Sequence, residues 1–252
     1  MRIKSLFVFA VVVAIGVIAA SPQAQAGLFT PTANNAIGEG TGSVVEVAAG
    51  SEYTVTGAGP GWAGNGYWAY KQVAGNFTLI AKVHYDDAAV YSSQCGLLFS
   101  DHTNDMIGPE YGSDSKAGYL SYVLNATELI WGWRNSDGGA YADAWTEGSA
   151  DDAYTSWVWL KLERVGDTFS GSYSYPATGD TPGAWTQAGE SPKTWTGIGD
   201  DVYVGLFASS NAAPTISNTM RFENLDFVPE PATMALLALG GVGLLLKRRR
   251  SK

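Results

Sequence analysis

The sequence predicts an all-β protein, an antiparallel double-sheet jelly-roll sandwich with a short apolar helix at each terminus of the chain. Three observations lead there. Apolar and polar residues alternate with period two in one short run after another, the spacing that sends successive side chains to opposite faces of a strand. Turn-forming residues stand between the runs, at Gly75-Asn76, Asn125-Ala126, Asn135-Ser136-Asp137-Gly138-Gly139 and Gly166-Asp167. Between residues 27 and 228 no stretch carries the capped 3.6-residue periodicity of an amphipathic helix.

The chain opens with Arg2 and Lys4, then the apolar run Ser5–Ala20, then a short polar stretch ending Ala24-Gln25-Ala26. A basic start, an apolar run shorter than the roughly 20 residues of a spanning helix and a small-x-small pattern make a secretory leader. Signal peptidase is expected to cut between Ala26 and Gly27, so the mature chain begins at Gly27 in an oxidising compartment.

Residues 27–228 form the single domain, 202 residues long, enough for one sizeable β core. Its expected strands are Val44–Ala48, Tyr53–Thr56, Tyr67–Val73, Phe77–Tyr85, Cys95–Ser100, Ala117–Leu124, Glu128–Arg134, Ser156–Arg164, Thr168–Tyr175, Val202–Ser209 and Met220–Phe227. Pro176–Lys193 reads as a long loop around one short strand at Trp185. Alternation fixes the faces. Val158, Leu160 and Leu162 share a phase and belong to the core, whereas Trp157, Trp159, Lys161 and Glu163 share the other. Leu129, Trp131 and Trp133 likewise point inward.

All 9 Trp and all 13 Tyr lie in this domain, which holds 23 of the 24 acidic and 8 of the 15 basic residues, a formal charge of −15. Such a surface repels phosphate backbones, which excludes nucleic acid as a partner. Cys95 is the single cysteine, so the core holds without an internal disulfide. It alternates with Leu97 and Phe99, as a small buried hydrophobe does.

The chain ends in Val228-Pro229-Glu230-Pro231-Ala232-Thr233, the apolar run Ala235–Leu246, and Lys247-Arg248-Arg249-Arg250. Positive charge after an apolar segment stays cytoplasmic and leaves the preceding domain outside. Ala232–Leu246 is 15 residues, about 22 Å of helix against a hydrocarbon core of roughly 30 Å. A segment that short suits a transient stay in the inner membrane. These three parts, in this order over residues 229–252, resemble the PEP-CTERM sorting signal of Gram-negative bacteria. The resemblance implies an integral-membrane, transpeptidase-like exosortase that reads Pro229, Glu230 and Pro231 together with the Arg248–Arg250 cluster and cuts at or near the tripeptide. It also implies a final place in the cell envelope or outside the cell, in bacteria that make exopolysaccharide.

Glu52–Tyr70, Gly75–Val83, Gly96–Asp101, Trp159–Tyr173, Trp185–Gly189 and Val202–Ala208 are similar to bacterial extracellular domains of the concanavalin A-like lectin/glucanase group. That resemblance implies the double-sheet jelly roll and no particular ligand.

For chemistry, a retaining glycosidase needs two carboxylates about 5 Å apart. The Glu-x-Asp-x-Glu strand of related glucanases is missing, and Glu223 and Asp226 are expected on opposite faces of their strand. No Gly-x-Ser-x-Gly elbow occurs, and the two histidines, His84 and His102, read as a half-exposed strand residue and a loop residue. The domain is therefore expected to be non-catalytic, with no cofactor. One loop, Ser100–Ser115, gathers Asp101, Asp105, Glu110 and Asp114, a weak candidate for calcium that fits no standard calcium loop. Sugar rings stack on aromatic faces. The candidates for that role are Trp157 and Trp159 on one strand face and Trp62 in the glycine-rich loop Gly57–Gly66. The reading that results is a non-catalytic envelope or matrix component contacting exopolysaccharide. A divergent glycoside hydrolase and a calcium-dependent adhesion module are its alternatives.

Overall fold

The computed structural model describes residues 29, 34–37, 40–59, 66–87, 93–102, 116–123, 128–134, 141–147, 157–176, 180–212 and 215–229. Among them are fifteen strands and no helix: β1 (Asn34–Ile37), β2 (Thr41–Ala48), β3 (Glu52–Ala58), β4 (Gly66–Ala74), β5 (Phe77–Asp87), β6 (Gln94–Ser100), β7 (Ala117–Val123), β8 (Glu128–Arg134), β9 (Tyr141–Glu147), β10 (Val158–Val165), β11 (Thr168–Ser174), β12 (Thr186–Gln187), β13 (Lys193–Thr194), β14 (Asp201–Ser209) and β15 (Ser217–Pro229). The terminal helices expected from the apolar runs lie outside the described residues.

Two antiparallel sheets result. One has seven strands in the order β1-β4-β14-β6-β7-β8-β9. The other has eight, β12-β11-β10-β5-β15-β3-β2, with β13 also paired to β11. All eleven strands expected from alternation are present. Three were not expected: β1, β9 and β13. The first two are poor in β-branched residues, β9 being built on alanines at 142 and 144, and the last is only two residues long. The short strand expected at Trp185 starts one residue later.

The core fills the space between the sheets. Val158, Leu160 and Leu162 of β10 are fully buried there, opposite Val83, Ala81 and Leu79 of β5. From the other sheet come Leu129, Trp131 and Trp133, together with Cys95, Leu97 and Phe99. Burial pushes the Cys95 thiol far up, so it stays protonated and inert. At the centre Phe99 stacks on Phe169 with centroids 3.8 Å apart, and Trp195 meets both edge-on at 4.9 and 5.4 Å. The Trp195 indole donates to the carbonyl of Arg134 at 2.5 Å, which satisfies its one polar atom. Gly171 lies under Trp131, where a Cβ would sit 2.6 Å from the ring.

One buried cation ties the end of the sandwich. Arg164, 2% exposed, donates to the carbonyls of Gly166 (2.9 Å), Asp200 (2.6 Å) and Gly199. It thus closes the β10–β11 turn onto the segment before β14. Burial lowers its pKa, while Asp167, Asp200 and Asp201 act in the opposite sense.

β15 departs from strict alternation. Its register shifts between Glu223 and Asp226, and Asn224 takes φ +51°, a left-handed value that asparagine tolerates. This bulge places Glu223 opposite Lys82 and Asp226 opposite Ile80, two residues that share one face of β5. Glu223 and Asp226 therefore share a face, which corrects the expectation that they point apart. β15 also runs one residue past the expected domain end at 228, so Pro229 pairs with Phe77.

Replacing Leu160 by alanine is expected to destabilise the domain by about 2–5 kcal/mol, because it empties volume at a fully buried site. The exposed Val165→Thr on the same strand should change stability by less than about 0.5 kcal/mol. Denaturant midpoints of the two variants check the order, and the reverse order would invert the face assignment of β10.

Candidate functional site

The outer face of the eight-stranded sheet carries the tryptophan pair singled out by spacing. The two rings do not form an open platform. Trp159 is only 5% exposed, flanked in register by Lys82 and Ser174. Trp157 is half-buried. One contact is a stack on His84, centroids 4.6 Å apart and 30° between planes, and the Lys82 ammonium lies 4.3 Å from its centroid. Beside Trp157 runs a network of ion pairs. Lys82 reaches out of β5 to Asp180, in the segment after β11, and its ammonium is also 3.7 Å from Glu223. Asp180 accepts a further hydrogen bond from the Asn224 amide at 2.8 Å. The hydrogen bond from Lys82, and then that from Asn224, hold the Asp180 carboxyl below the usual range.

The network continues across the sheet. Arg221 of β15 clamps Asp86 through Nε (2.9 Å) and Nη2 (2.8 Å), and its Nη1 lies 3.6 Å from Glu223. Asp86 also stands 3.5 Å from His84 Nδ1. Bonding to Asp86 raises the pKa of Arg221. A general acid needs a carboxyl whose pKa is raised. Here Asp86, Asp180 and Glu223 each face a cation, and Asp180 shifts the other way.

The opposite outer face, on the seven-stranded sheet, is different in kind. A row of residues in register crosses it: Trp68 on β4, Phe207 on β14, Gly96 on β6, Ser121 on β7 and Ile130 on β8. Leu98, Tyr119 and Val123 join Trp68, Phe207 and Ile130 in an apolar cluster separate from the core. Tyr119 meets Phe207 edge-on at 5.7 Å and lies over Gly132, where a Cβ would come within 2.4 Å of its ring. Toward one end Trp68, Tyr70 and Tyr203 follow one another at 4.4 and 5.4 Å, the two tyrosines half-exposed.

Among these rings sit polar groups with nothing to bond. Gln94 and Ser121 are 0% exposed in the full-length chain, and neither the Gln94 amide oxygen, its amide nitrogen, the Ser121 hydroxyl nor the Trp68 indole nitrogen has a hydrogen-bond partner. Two other unpartnered indoles, those of Trp131 and Trp159, lie in the core and on the opposite face. Only on the seven-stranded sheet do an amide, a hydroxyl and an indole of this kind share one face among the described residues. Part of the signal for this face was present in the sequence: β7 carries Ala117, Tyr119 and Val123 in one phase and Gly118, Leu120 and Tyr122 in the other, where a strand with one wet face would alternate.

Other candidates resolve as follows. Asp101 accepts the backbone N–H of Lys116 at 2.9 Å and bonds His102 at 2.7 Å, so it closes a loop. Asp105, Glu110, Asp114 and Trp62 lie outside the described residues, as do Ala24, Ala26, Gly27, Glu230, Pro231 and Arg248–Arg250. Among the described residues no group of three or more His, Cys, Asp or Glu side chains is placed to hold a metal ion. One carboxylate spacing was missed with its strand. Asp143 and Glu147 stand four residues apart on β9, paired with Gly132 and Glu128.

Residues 227–250 match the PEP-CTERM protein-sorting motif. The chain carries this signal, which indicates export across the inner membrane to the cell envelope or extracellular space and implies processing by exosortase. No curated protein matches the chain. Among solved structures, a functionally unknown protein from Saccharomyces cerevisiae is similar over 78% of this chain and 100% of its own, at 12% identity and a TM-score of 0.50. The GH43 protein BlXynB of Bacillus licheniformis is similar over 75% of this chain and 34% of its own, at 13% identity and a TM-score of 0.49. A Bacillus licheniformis β-glucanase is similar over 71% of this chain and 79% of its own, at 10% identity and a TM-score of 0.39. At such identities the likeness is one of fold.

Because Trp159 is buried, Trp159→Ala should lower the unfolding free energy by about 3–5 kcal/mol. A denaturant midpoint close to the parent's would show instead that the ring is open to solvent.

Proposed function

We propose that this protein is a non-catalytic β-sandwich of the cell envelope or extracellular matrix, released from its tail by exosortase, that holds a neutral polysaccharide along the outer face of its seven-stranded sheet. The observation that carries the reading is the set of unpartnered groups on Gln94, Ser121 and Trp68 among aromatic rings; all three are 0% exposed, so the proposal requires that what covers them move aside when the ligand binds. Each buried polar group left without a partner costs about 1–3 kcal/mol. A fold keeps that cost where a ligand repays it. A sugar ring offers what these groups need: hydroxyls that donate and accept, and carbon faces that lie on aromatic rings. Gln94 supplies one donor group and one acceptor, Ser121 a hydroxyl that serves as either, and Trp68 a donor. The formal charge of −15 disfavours polyanions and makes binding to a neutral chain insensitive to salt.

The jelly-roll form of the sandwich draws support from its chain path, with β3 in one sheet, β4 in the other, β5 back in the first and β6 in the second. The non-catalytic reading draws support from the ion pairs that occupy Asp86, Asp180 and Glu223. A second reading, a divergent glycoside hydrolase, rests on Asp143 and Glu147. Four residues along a strand is about 13 Å between Cα atoms, against carboxyl separations of about 5 Å or 6.5–9.5 Å in hydrolases of the two stereochemical types. Reducing-sugar release by the parent, lost in Glu147→Gln, would favour that second reading over the first.

Gln94→Leu/Ser121→Ala is the direct test. Removing buried groups that lack partners should leave the melting temperature equal or higher, while retention on the host's own exopolysaccharide is lost. Retention equal to the parent's, or none by the parent, would contradict the proposal. A separate expectation concerns sorting: alanines at Pro229, Glu230 and Pro231 should leave export intact and block removal of the basic tail, read by mass spectrometry of the exported product.

A further inference from the structure

The sorting motif begins inside the fold. Its first three residues, Phe227, Val228 and Pro229, are the last three of β15 and pair in register with Leu79, Thr78 and Phe77. β15 lies between β5 and β3, but β3 pairs with it only as far as Phe222, so its last residues are paired with β5 alone. Its end is held by side chains as well as by the ladder. Phe227 packs on the core, 5.9 Å from the buried Phe77 ring, and the Lys71 ammonium lies 5.0 Å from its centroid. No linker separates the sandwich from the Pro229-Glu230-Pro231 tripeptide.

Enzymes that cut a peptide commonly bind it extended, through main-chain hydrogen bonds on both sides of the scissile bond. On the N-terminal side of this tripeptide the main-chain groups facing β5 are already engaged, which leaves one edge of the strand for an enzyme that needs both. The distance to the membrane is short as well. The apolar run starts at Ala235, six residues beyond Pro229, which reach at most about 20–22 Å when extended. An integral-membrane enzyme therefore meets its site against the folded end of the sandwich.

We propose that the end of β15 must leave β5 before the motif is cut, so that closure of the sandwich sets the rate of processing. Processing breaks one peptide bond. The acyl half passes to water or an acceptor amine, and the amine half leaves with the tail, so the only extra requirement is access. Strand ends open far more cheaply than strand centres, so the step needs local fraying and no global unfolding. The inference rests on the sorting reading and goes beyond it in assigning the control to the fold.

Two variants of the full chain test it in a host with exosortase, scored by mass spectrometry of the exported product over time. A flexible Gly-Ser insertion between Val228 and Pro229 moves an intact tripeptide away from the sheet and should speed processing severalfold. Thr78→Cys/Val228→Cys cross-links the register pair at the strand end, and the oxidised form should be processed at least about tenfold more slowly than the same protein reduced. Equal rates for the oxidised and reduced forms, or for the insertion and the parent, would overturn the proposal. An unprocessed parent would instead remove the sorting reading on which it rests, which the alanine-substituted tripeptide, unprocessed in every form, distinguishes.

Discussion

The pairing of β15 between β3 and β5 is the constraint on which the sandwich depends. This strand is the last of the described chain and sits in the middle of the larger sheet. Until it is in place, β2 and β3 have no bond to the rest of that sheet, and Phe222 and Met220 are missing from the core. Its partners lie far back in the sequence, since Phe222 pairs with both Tyr53 and Val83. Contacts so distant along the chain cost loop-closure entropy before they return any stability, so the sheet closes late. Completion of the sheet and the start of the sorting motif thus meet in one segment, Phe222–Pro229.

The two outer faces illustrate how similar residue types reach different ends. On the eight-stranded sheet, Lys82 and Arg221 each bridge two carboxylates, and the Lys82 ammonium lies over the Trp157 ring. Lys82, Arg221, Asp86, Asp180 and Glu223 thus form one ion-pair network across that face. On the seven-stranded sheet, charge stands at the two ends of β8, where Glu128 and Arg134 share the phase of Ile130, and between them the unpartnered groups of Gln94, Ser121 and Trp68 lie among rings and glycines. Aromatic surface with spare neutral hydrogen-bonding groups is suited to an uncharged polyhydroxylated ligand, which is why the proposal moves from Trp157 and Trp159 to Gln94, Ser121 and Trp68.

Most of the fold was legible because alternation is a local signal. Leu160 and Trp131 are buried where period two puts them. What was not legible depended on events that alternation does not encode. The bulge at Asn224 adds one residue to β15 and brings Glu223 and Asp226 to one face. The burial of Trp159 comes with a contact ninety-eight residues apart, Lys82 with Asp180, that no window around either residue reveals. The candidate site was hidden for a related reason. Gln94 and Ser121 look unremarkable one at a time, and only the register of β6 against β7 places Gly96 beside Ser121 and Gln94 beside Val123. The tail was read from its motif, yet its fusion to an interior strand was not, because strand order in a sheet is set by long-range pairing.

The central claim is that Gln94 awaits a ligand. The side-chain amide of Gln94 in the isotopically labelled, exported protein reports on this directly by NMR as the host's neutral exopolysaccharide is added. The account predicts a saturable shift of both amide protons of Gln94, unaffected by 0.1 or roughly 1 M salt because the ligand is uncharged. A Gln94 amide that stays in place while the polysaccharide is in excess would contradict it.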